Sequence, residues 1–185
     1  YSDLDVIWLE SPEKFIHDVF SQNENVSLCI QDATVGGTSK ALCMGFFVFK
    51  NNQRASEIIE ECKIEHAKAL ILNPRSGDDG VITDYFNAQK NKEDFFLLPQ
   101  ASFPIGIFSN LYGDHSPFIG LTVKRPIIFH ANYLVGAKRK AIMMSYVLRK
   151  FGIKFEMPRK LLFELLLRKI LVPLKRLFIK KVFQI

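Results

Sequence analysis

The stretch that decides the fold class is 41–50, ALCMGFFVFK, together with the residues that follow it. Apolar residues fill this stretch, with Gly45 near its middle, and predict a buried strand. Asn52 then offers a side chain that can cap a helix, and Ile58 and Cys62 lie at apolar positions among acids and bases after it. A buried strand followed by a long helix is the repeating unit of an α/β protein.

The same alternation extends to both sides of this unit. Short apolar runs predict further strands at 4–9, 26–30, 95–98 and 126–129. Helix-start signals predict further helices after Ser11, from Asp78 and near Ala137. We therefore expect an α/β domain over 1–150, with a mostly parallel sheet flanked by helices.

The composition is that of a folded protein, because 48% of the 185 residues are apolar and 24% are charged. The net charge of +6 is unevenly divided. Residues 1–150 carry 16 Lys and Arg against 17 Asp and Glu, whereas residues 151–185 carry 9 against 2. The nearly neutral body argues against a nucleic-acid partner, which would require a basic face. The cysteines, Cys29, Cys43 and Cys62, are too few and too scattered for a disulfide framework or a zinc site.

The first candidate site is the pair Asp3 and Asp5, at the edge of the first predicted strand. Residues two apart in a strand point to the same side, so both carboxylates can face one ligand. Hard oxygen ligands of this kind are what Mg²⁺ or Mn²⁺ requires beside a diphosphate. A solvated strand end is the alternative interpretation, since Asp-x-Asp pairs also occur by chance.

The second candidate site begins at His130 and continues through Gly136 to Lys138, Arg139 and Lys140. His130 ends an apolar run and can offer an imidazole to a borderline metal such as Mn²⁺. The glycine allows the backbone to approach a phosphate closely, and a cation just beyond it can balance the phosphate charge. The alternative interpretations are a structural histidine and the solvated basic face of a helix.

Together the two sites resemble those of the nucleotide-diphospho-sugar transferase family, whose members have the GT-A glycosyltransferase fold, which is Rossmann-like. The matching stretches are SDLDVIWLESP (2–12), MGFFVFKNN (44–52), DDGVITDYFN (78–87), LPQASFPIG (98–106) and HANYLVGAKRK (130–140). The resemblance implies transfer of a hexose or pentose from a nucleotide-sugar donor to a glycan, protein or lipid acceptor. Since family members carry a nucleotide-binding segment upstream of the Asp-x-Asp strand, we expect such a segment to precede Tyr1.

The resemblance also implies a metal centre. Asp5 and His130 match the family's ligands of the divalent cation, which is Mn²⁺ or Mg²⁺. Asp3 matches the first acid of the same motif, which lies near both the metal and the ribose. With the metal bound there, negative charge that develops on the leaving diphosphate would be stabilised.

Further roles follow from the resemblance alone. Gly136 and Lys140 match residues that contact the diphosphate, with Lys138 as the alternative cation. Asp79 matches a catalytic acid near the transferred sugar and the acceptor, although Gly80 replaces the glutamine that accompanies this acid in the family. The resemblance implies retention of the anomeric configuration.

The residue pattern over 151–185 predicts a separate helical tail. Pro158 can open a helix whose apolar and basic residues fall largely on opposite sides, and Pro173 is expected to kink it. A basic amphipathic helix over 158–183 can lie on an anionic membrane, and packing against the domain is the alternative. We expect a membrane-associated protein, in the Golgi lumen if it follows the family's eukaryotic members and otherwise on the cytoplasmic face of a membrane.

Two other functions stay open at the level of the sequence. A metal-dependent phosphohydrolase would also use paired aspartates and a histidine, but it needs further acids or histidines near the metal, and the chain has four His. A non-catalytic, membrane-associated nucleotide-binding module is compatible with the expected upstream segment.

Overall fold

The computed structural model describes residues 1–34, 40–89, 92–105, 126–132 and 137–153. Within these ranges the elements are β1 (Val6–Trp8), α1 (Glu13–Gln22), β2 (Leu28–Asp32), β3 (Leu42–Phe49), α2 (Gln53–Leu72), α3 (Asp78–Ala88), β4 (Phe95–Leu98), β5 (Ile128–His130) and α4 (Ala137–Lys150). The chain divides into two units, Tyr1–Leu134 and Val135–Ile185, so α4 belongs to the second. Each strand and helix predicted over 1–150 is present, with ends displaced by a few residues.

The first unit contains a three-stranded sheet in the order β3-β2-β4 and a two-stranded sheet of β1 and β5. β2 runs antiparallel to β3 and parallel to β4, and β1 runs antiparallel to β5. The α/β class is confirmed, but the mostly parallel sheet is not, because two of these three pairings are antiparallel. Only residues 33–41 connect β2 to β3, fewer than the dozen or so that a helical crossover between parallel neighbours needs.

A bulge interrupts the pairing of β2 with β3. Ile30 pairs with Phe47, but the next residue, Gln31, pairs with Cys43. Residues 44–46, the β3 bulge, therefore have no partner on β2. Bulges release backbone groups from the ladder and re-aim nearby side chains, and they are frequent next to active sites.

The backbone groups that the β3 bulge releases hold two aspartates. The Gly45 carbonyl accepts a hydrogen bond from the Asp3 N–H at 2.8 Å. The Met44 N–H donates to the Asp79 carboxylate. One irregularity in a buried strand thus fixes two acidic residues that are distant in the sequence.

Apolar side chains cover both faces of the three-stranded sheet. On one face, Cys29 packs in a cluster with Ile16 and Val19 of α1. On the other, Leu28 and Ile30 pack with residues of α2 and α3. A strand buried on both faces has a nearly continuous apolar sequence, which explains the runs from which β2 and β3 were predicted.

Local signals account for the ends of several elements. The Asn52 side chain accepts a hydrogen bond from the Ala55 N–H at 2.9 Å, so the predicted cap of α2 is confirmed. Asp78 is the first residue of α3, as predicted. β1 is shorter than the predicted strand because Leu4 lies in a turn and is fully exposed.

In the second unit, α4 ends in a Schellman motif. Gly152 has a φ of 74°, a left-handed conformation that glycine adopts without strain. The Gly152 N–H bonds to the Arg149 carbonyl at 3.1 Å, and the Ile153 N–H bonds to the Leu148 carbonyl at 2.9 Å. The predicted tail, 158–183, lies outside the described residues. In the part of the chain that the structure describes, no helix has both the length and the apolar character needed to cross a bilayer.

Candidate metal centre

Asp3, Asp5 and His130 lie together in the first unit, with one possible ligand atom from each within 4.8 Å of the others. His130 Nε2 is 3.4 Å from Asp5 Oδ1 and 3.7 Å from Asp3 Oδ2. The His130 side chain is only 3% exposed, whereas that of Asp3 is 39% exposed. The group therefore has a buried side and a side open to a ligand.

Backbone pairing brings these distant residues together. β1 pairs with β5 in a register that sets Val6 opposite His130. Immediately before β1, the Asp5 carbonyl accepts a hydrogen bond from the Ala131 N–H at 2.9 Å. We predicted that Asp3 and Asp5 share one side of a strand, but both precede β1, so a turn and these contacts place them instead.

Two more contacts fix Asp3. Its N–H bonds to Gly45 in the β3 bulge, and its carboxylate accepts a hydrogen bond from the Tyr1 hydroxyl at 2.8 Å. This hydrogen bond raises the pKa of the tyrosine, and the negative charge of Asp3 raises it further. Backbone and side chain of Asp3 are thus both held in place.

The other ring nitrogen of His130 faces the protein interior. His130 Nδ1 is 3.2 Å from Gln31 Oε1 and 3.4 Å from Cys43 Sγ. Gln31 Nε2 donates to the Phe103 carbonyl at 3.2 Å, and this bond sets which end of the amide faces the histidine. Because Gln31 presents its oxygen, a proton on Nδ1 would complete this hydrogen bond.

Cys43 takes part as a neutral thiol. Burial raises its pKa to about 12, so the sulfur keeps its proton near neutral pH. The sulfur accepts a hydrogen bond from Asn132 Nδ2 at 3.0 Å. Cys43 is therefore a packing and hydrogen-bonding neighbour of His130 and is not one of the three grouped residues.

The donor set fits a divalent cation. When Nδ1 holds the proton, a neutral His130 directs the Nε2 lone pair at two carboxylates. A cation between these acceptors, or a proton on Nε2, would remove their mutual repulsion. Ligand atoms about 2.1 Å from one octahedral ion are about 3.0 Å apart when adjacent and about 4.2 Å apart when opposite, and the distances of 3.4 and 3.7 Å lie between these values. Two carboxylates with one imidazole suit Mn²⁺ well, and Mg²⁺ less so.

Asp79 lies in the first turn of α3, apart from this group. Partial burial raises the pKa of its carboxyl, and the negative charges of Asp78 and Asp3 raise it further. The Met44 N–H acts in the opposite direction by stabilising the carboxylate. Asp79 is therefore within electrostatic reach of Asp3, which agrees with a place at the edge of the same site.

Residues 1–144 match the family model described as nucleotide-diphospho-sugar transferase. The chain belongs to this family. Three relatives from Arabidopsis thaliana are similar to it, and each match covers 76% of the chain. The UDP-D-xylose:L-fucose alpha-1,3-D-xylosyltransferase MGP4 is 27% identical to the chain. Two further proteins named as UDP-D-xylose:L-fucose alpha-1,3-D-xylosyltransferases are 25% and 21% identical. The chain spans 41%, 41% and 39% of their lengths, respectively. No solved structure matches the chain.

The lysines predicted from the family pattern belong to the second unit. Lys140 is half-buried in the first turn of α4. The side chain of Lys138, like Gly136, lies outside the described residues. The contact of these residues with a diphosphate stays a prediction.

Gly45 and Gln31 belong to the site although sequence reasoning did not assign them to it. A Cβ atom on Gly45 would lie 1.8 Å from His130 Cε1, so only glycine leaves room for the imidazole. A glycine inside a strand pattern often marks a close approach, and this signal was present in the sequence. Gln31 gave a weaker signal, as a polar residue at the end of an apolar run.

Proposed function

We propose that this chain is the metal-binding part of a glycosyltransferase that takes its sugar from a nucleoside-diphosphate donor. Asp3, Asp5 and His130 would hold one divalent cation, Mn²⁺ or Mg²⁺. The observation that carries the proposal is the His130 ring, whose Nε2 faces two carboxylates while Nδ1 faces the amide oxygen of Gln31. Membership of the nucleotide-diphospho-sugar transferase family supports the same reaction class.

The bound cation supplies positive charge that stabilises the leaving diphosphate. The chain's own residues orient this charge. Asp5 and His130 are largely buried, so their ligand atoms are held in place, whereas Asp3 is open enough to contact a donor as well. Asp79, at the edge of the site, would contact the transferred sugar or the acceptor. Retention of the anomeric configuration is part of the proposal, on the family resemblance alone.

The names of the relatives suggest which donor to test first. All three are named for UDP-D-xylose as donor and L-fucose as acceptor. We propose a pentose donor, with UDP-xylose as the first candidate, and a fucose-containing glycan as the acceptor. Lys140, Lys138 and Gly136 would bind the diphosphate of that donor.

A titration with Mn²⁺ tests the metal centre. Calorimetry on the purified chain should detect one site, which Asp5→Asn and His130→Ala should each abolish because each removes a ligand. Asp84→Asn is the matched control, since Asp84 is exposed on α3. Equal Mn²⁺ affinity in all four proteins would overturn the proposed centre.

A second titration tests the donor. UDP-xylose should bind more tightly with Mn²⁺ than without it, and simple phosphate monoesters should not be hydrolysed. Monoester hydrolysis that needs Asp5 would instead support the phosphohydrolase. Metal-dependent binding of UDP-xylose with no transfer to a fucose-containing acceptor would support the non-catalytic module.

A further inference from the structure

Gln31 is a fully buried polar side chain in the middle of an apolar sheet. Both ends of its amide have partners, because Nε2 donates to the Phe103 carbonyl and Oε1 lies 3.2 Å from His130 Nδ1. A buried amide costs free energy unless both ends are satisfied, so such a residue is poorly suited to a purely packing role. The contact of Oε1 with Nδ1 indicates instead that Gln31 influences the state of the His130 ring.

The β3 bulge creates the space for this contact. Gln31 is the first residue of β2 on the far side of the register shift, and it pairs with Cys43. Gly45, within the bulge, has no side chain, and the His130 ring occupies the volume where a Cβ would lie. The ring therefore packs against Gly45, and its Nδ1 contacts the amide oxygen of Gln31.

The consequence concerns which ring nitrogen is free to bind. A neutral imidazole in water prefers a proton on Nε2, and in this site that form would block the nitrogen that faces Asp3 and Asp5. An amide oxygen fixed against Nδ1 favours the opposite tautomer. Groups of this kind behind a metal-ligating histidine orient the ring and strengthen binding.

We propose that Gln31 is a positioning residue that keeps the proton of His130 on Nδ1 and so leaves Nε2 available as a ligand. Its importance for metal binding rests on the proposed function, whereas its effect on the histidine does not. The amide of Gln31 contacts Nδ1 of His130 and the Phe103 carbonyl, so it acts through the histidine.

Nitrogen NMR of the metal-free, wild-type chain with ¹⁵N-labelled histidine tests the effect on the ring. His130→Ala identifies the signals of His130 among those of the four histidines. At a pH where the ring is neutral, we expect Nδ1 to resonate as a protonated nitrogen and Nε2 as a bare one. A neutral ring with its proton on Nε2 and a bare Nδ1 would overturn the proposal, and His130→Ala serves only to assign the signals.

Two substitutions test the consequence for metal binding. Gln31→Met keeps the length of the side chain but removes the acceptor, and we expect Mn²⁺ affinity to fall by about tenfold to a hundredfold. Gln31→Glu keeps an acceptor oxygen for His130 but loses the donor to the Phe103 carbonyl, so we expect it to bind Mn²⁺ more tightly than Gln31→Met and to unfold at a lower temperature than the wild type. Gln100→Met is the matched control, because the Gln100 amide bonds to the Asp32 and Thr34 carbonyls.

The outcomes separate the two proposals. Wild-type affinity in Gln31→Met would overturn the role of Gln31 and leave the metal centre standing. Absence of Mn²⁺ binding in the wild type would overturn the metal centre, while the NMR result would still decide the tautomer. Thermal unfolding of each variant identifies any loss that comes from misfolding.

Discussion

Gly45 is the residue on which the geometry of the candidate centre depends most directly. We expect Gly45→Ala to destabilise the first unit by about 1–3 kcal/mol, because the new methyl group would overlap the His130 ring. Mn²⁺ affinity should fall as well, since the ring must move. Urea unfolding and calorimetry measure the two effects.

Gly80→Ala is the control for this substitution. No atom lies within 4 Å of a Cβ placed on Gly80, which is inside α3. Alanine is the better helix former, so this variant should be as stable as the wild type or more stable by about 0.5–1 kcal/mol. Equal effects of the two substitutions would show that Gly45 has no special steric role.

Cys29 gives a prediction on pH. Burial raises the pKa of its thiol to about 12, whereas a thiol in the unfolded chain ionises near about 8.5. Between these values the unfolded state loses its proton first, so the stability of the folded state falls as pH rises. The slope from this group approaches about 1.4 kcal/mol per pH unit.

The measurement compares urea unfolding at pH 8.5 and pH 10.5 in the wild type and in Cys29→Ala. The variant is expected to start less stable, because it leaves a cavity, but to lose less stability across this interval. Parallel losses in the two proteins would contradict the buried, protonated state of this thiol.

At the scale of elements, the start of α2 rests on one side chain. Asn52 accepts from the Ala55 N–H and donates to Ser27 Oγ at 3.1 Å, which ties the helix start to the residue before β2. Asn52→Ala should lower the free energy of unfolding by about 0.5–2 kcal/mol. Asn51→Ala, next to it and exposed, should have little effect, and Asn52→Asp should recover most of the loss.

Sequence patterns predicted the positions of helices and strands better than they predicted how the strands pair. Apolar runs and caps are local, and they located β3, α2 and α3 because the same residues that signal these elements also form them. Strand direction depends on which elements meet in space, so alternation of strands and helices did not reveal that β2 and β3 are antiparallel. The length of the connection over 33–41 indicated this direction, because the connection is too short for a crossover between parallel strands.

In the candidate centre, too, the residues could be predicted from the sequence, whereas a contact that depends on strand register could not. Asp3, Asp5 and His130 were predicted as a set from their chemistry and from the family pattern, and the structure brings them together. The contact of Gln31 with His130 depends on the register shift in β3, which no periodicity in the sequence reveals.

At the scale of the whole molecule, charge divides the chain at about residue 150, with the basic residues concentrated in 151–185. We propose that 158–183 binds an anionic membrane, because each Lys or Arg near such a surface contributes about 1 kcal/mol of attraction. The intact chain should sediment with vesicles that contain phosphatidylserine, and added salt should weaken this binding.

Deletion of 158–185 should abolish vesicle binding and leave Mn²⁺ affinity unchanged. A variant in which Lys175, Arg176, Lys180 and Lys181 are replaced by Gln is the control that keeps the apolar residues. Unfolding of the first unit on deletion would show that the tail is needed for the fold, and absence of vesicle binding by the intact chain would overturn the membrane proposal.

The small sheet of β1 and β5 has a consequence for how a cation would be acquired. Each strand has three residues, and two-stranded sheets of this size are only marginally stable by themselves. Asp5 precedes one strand and His130 ends the other, so fraying of the pair would separate the carboxylate from the imidazole. The affinity observed in solution is then the intrinsic affinity scaled by the fraction of molecules in which the strands are paired. A substitution at Phe129, opposite Ile7, would therefore weaken cation binding without touching a ligand, and added cation would protect the β1 amides from hydrogen exchange.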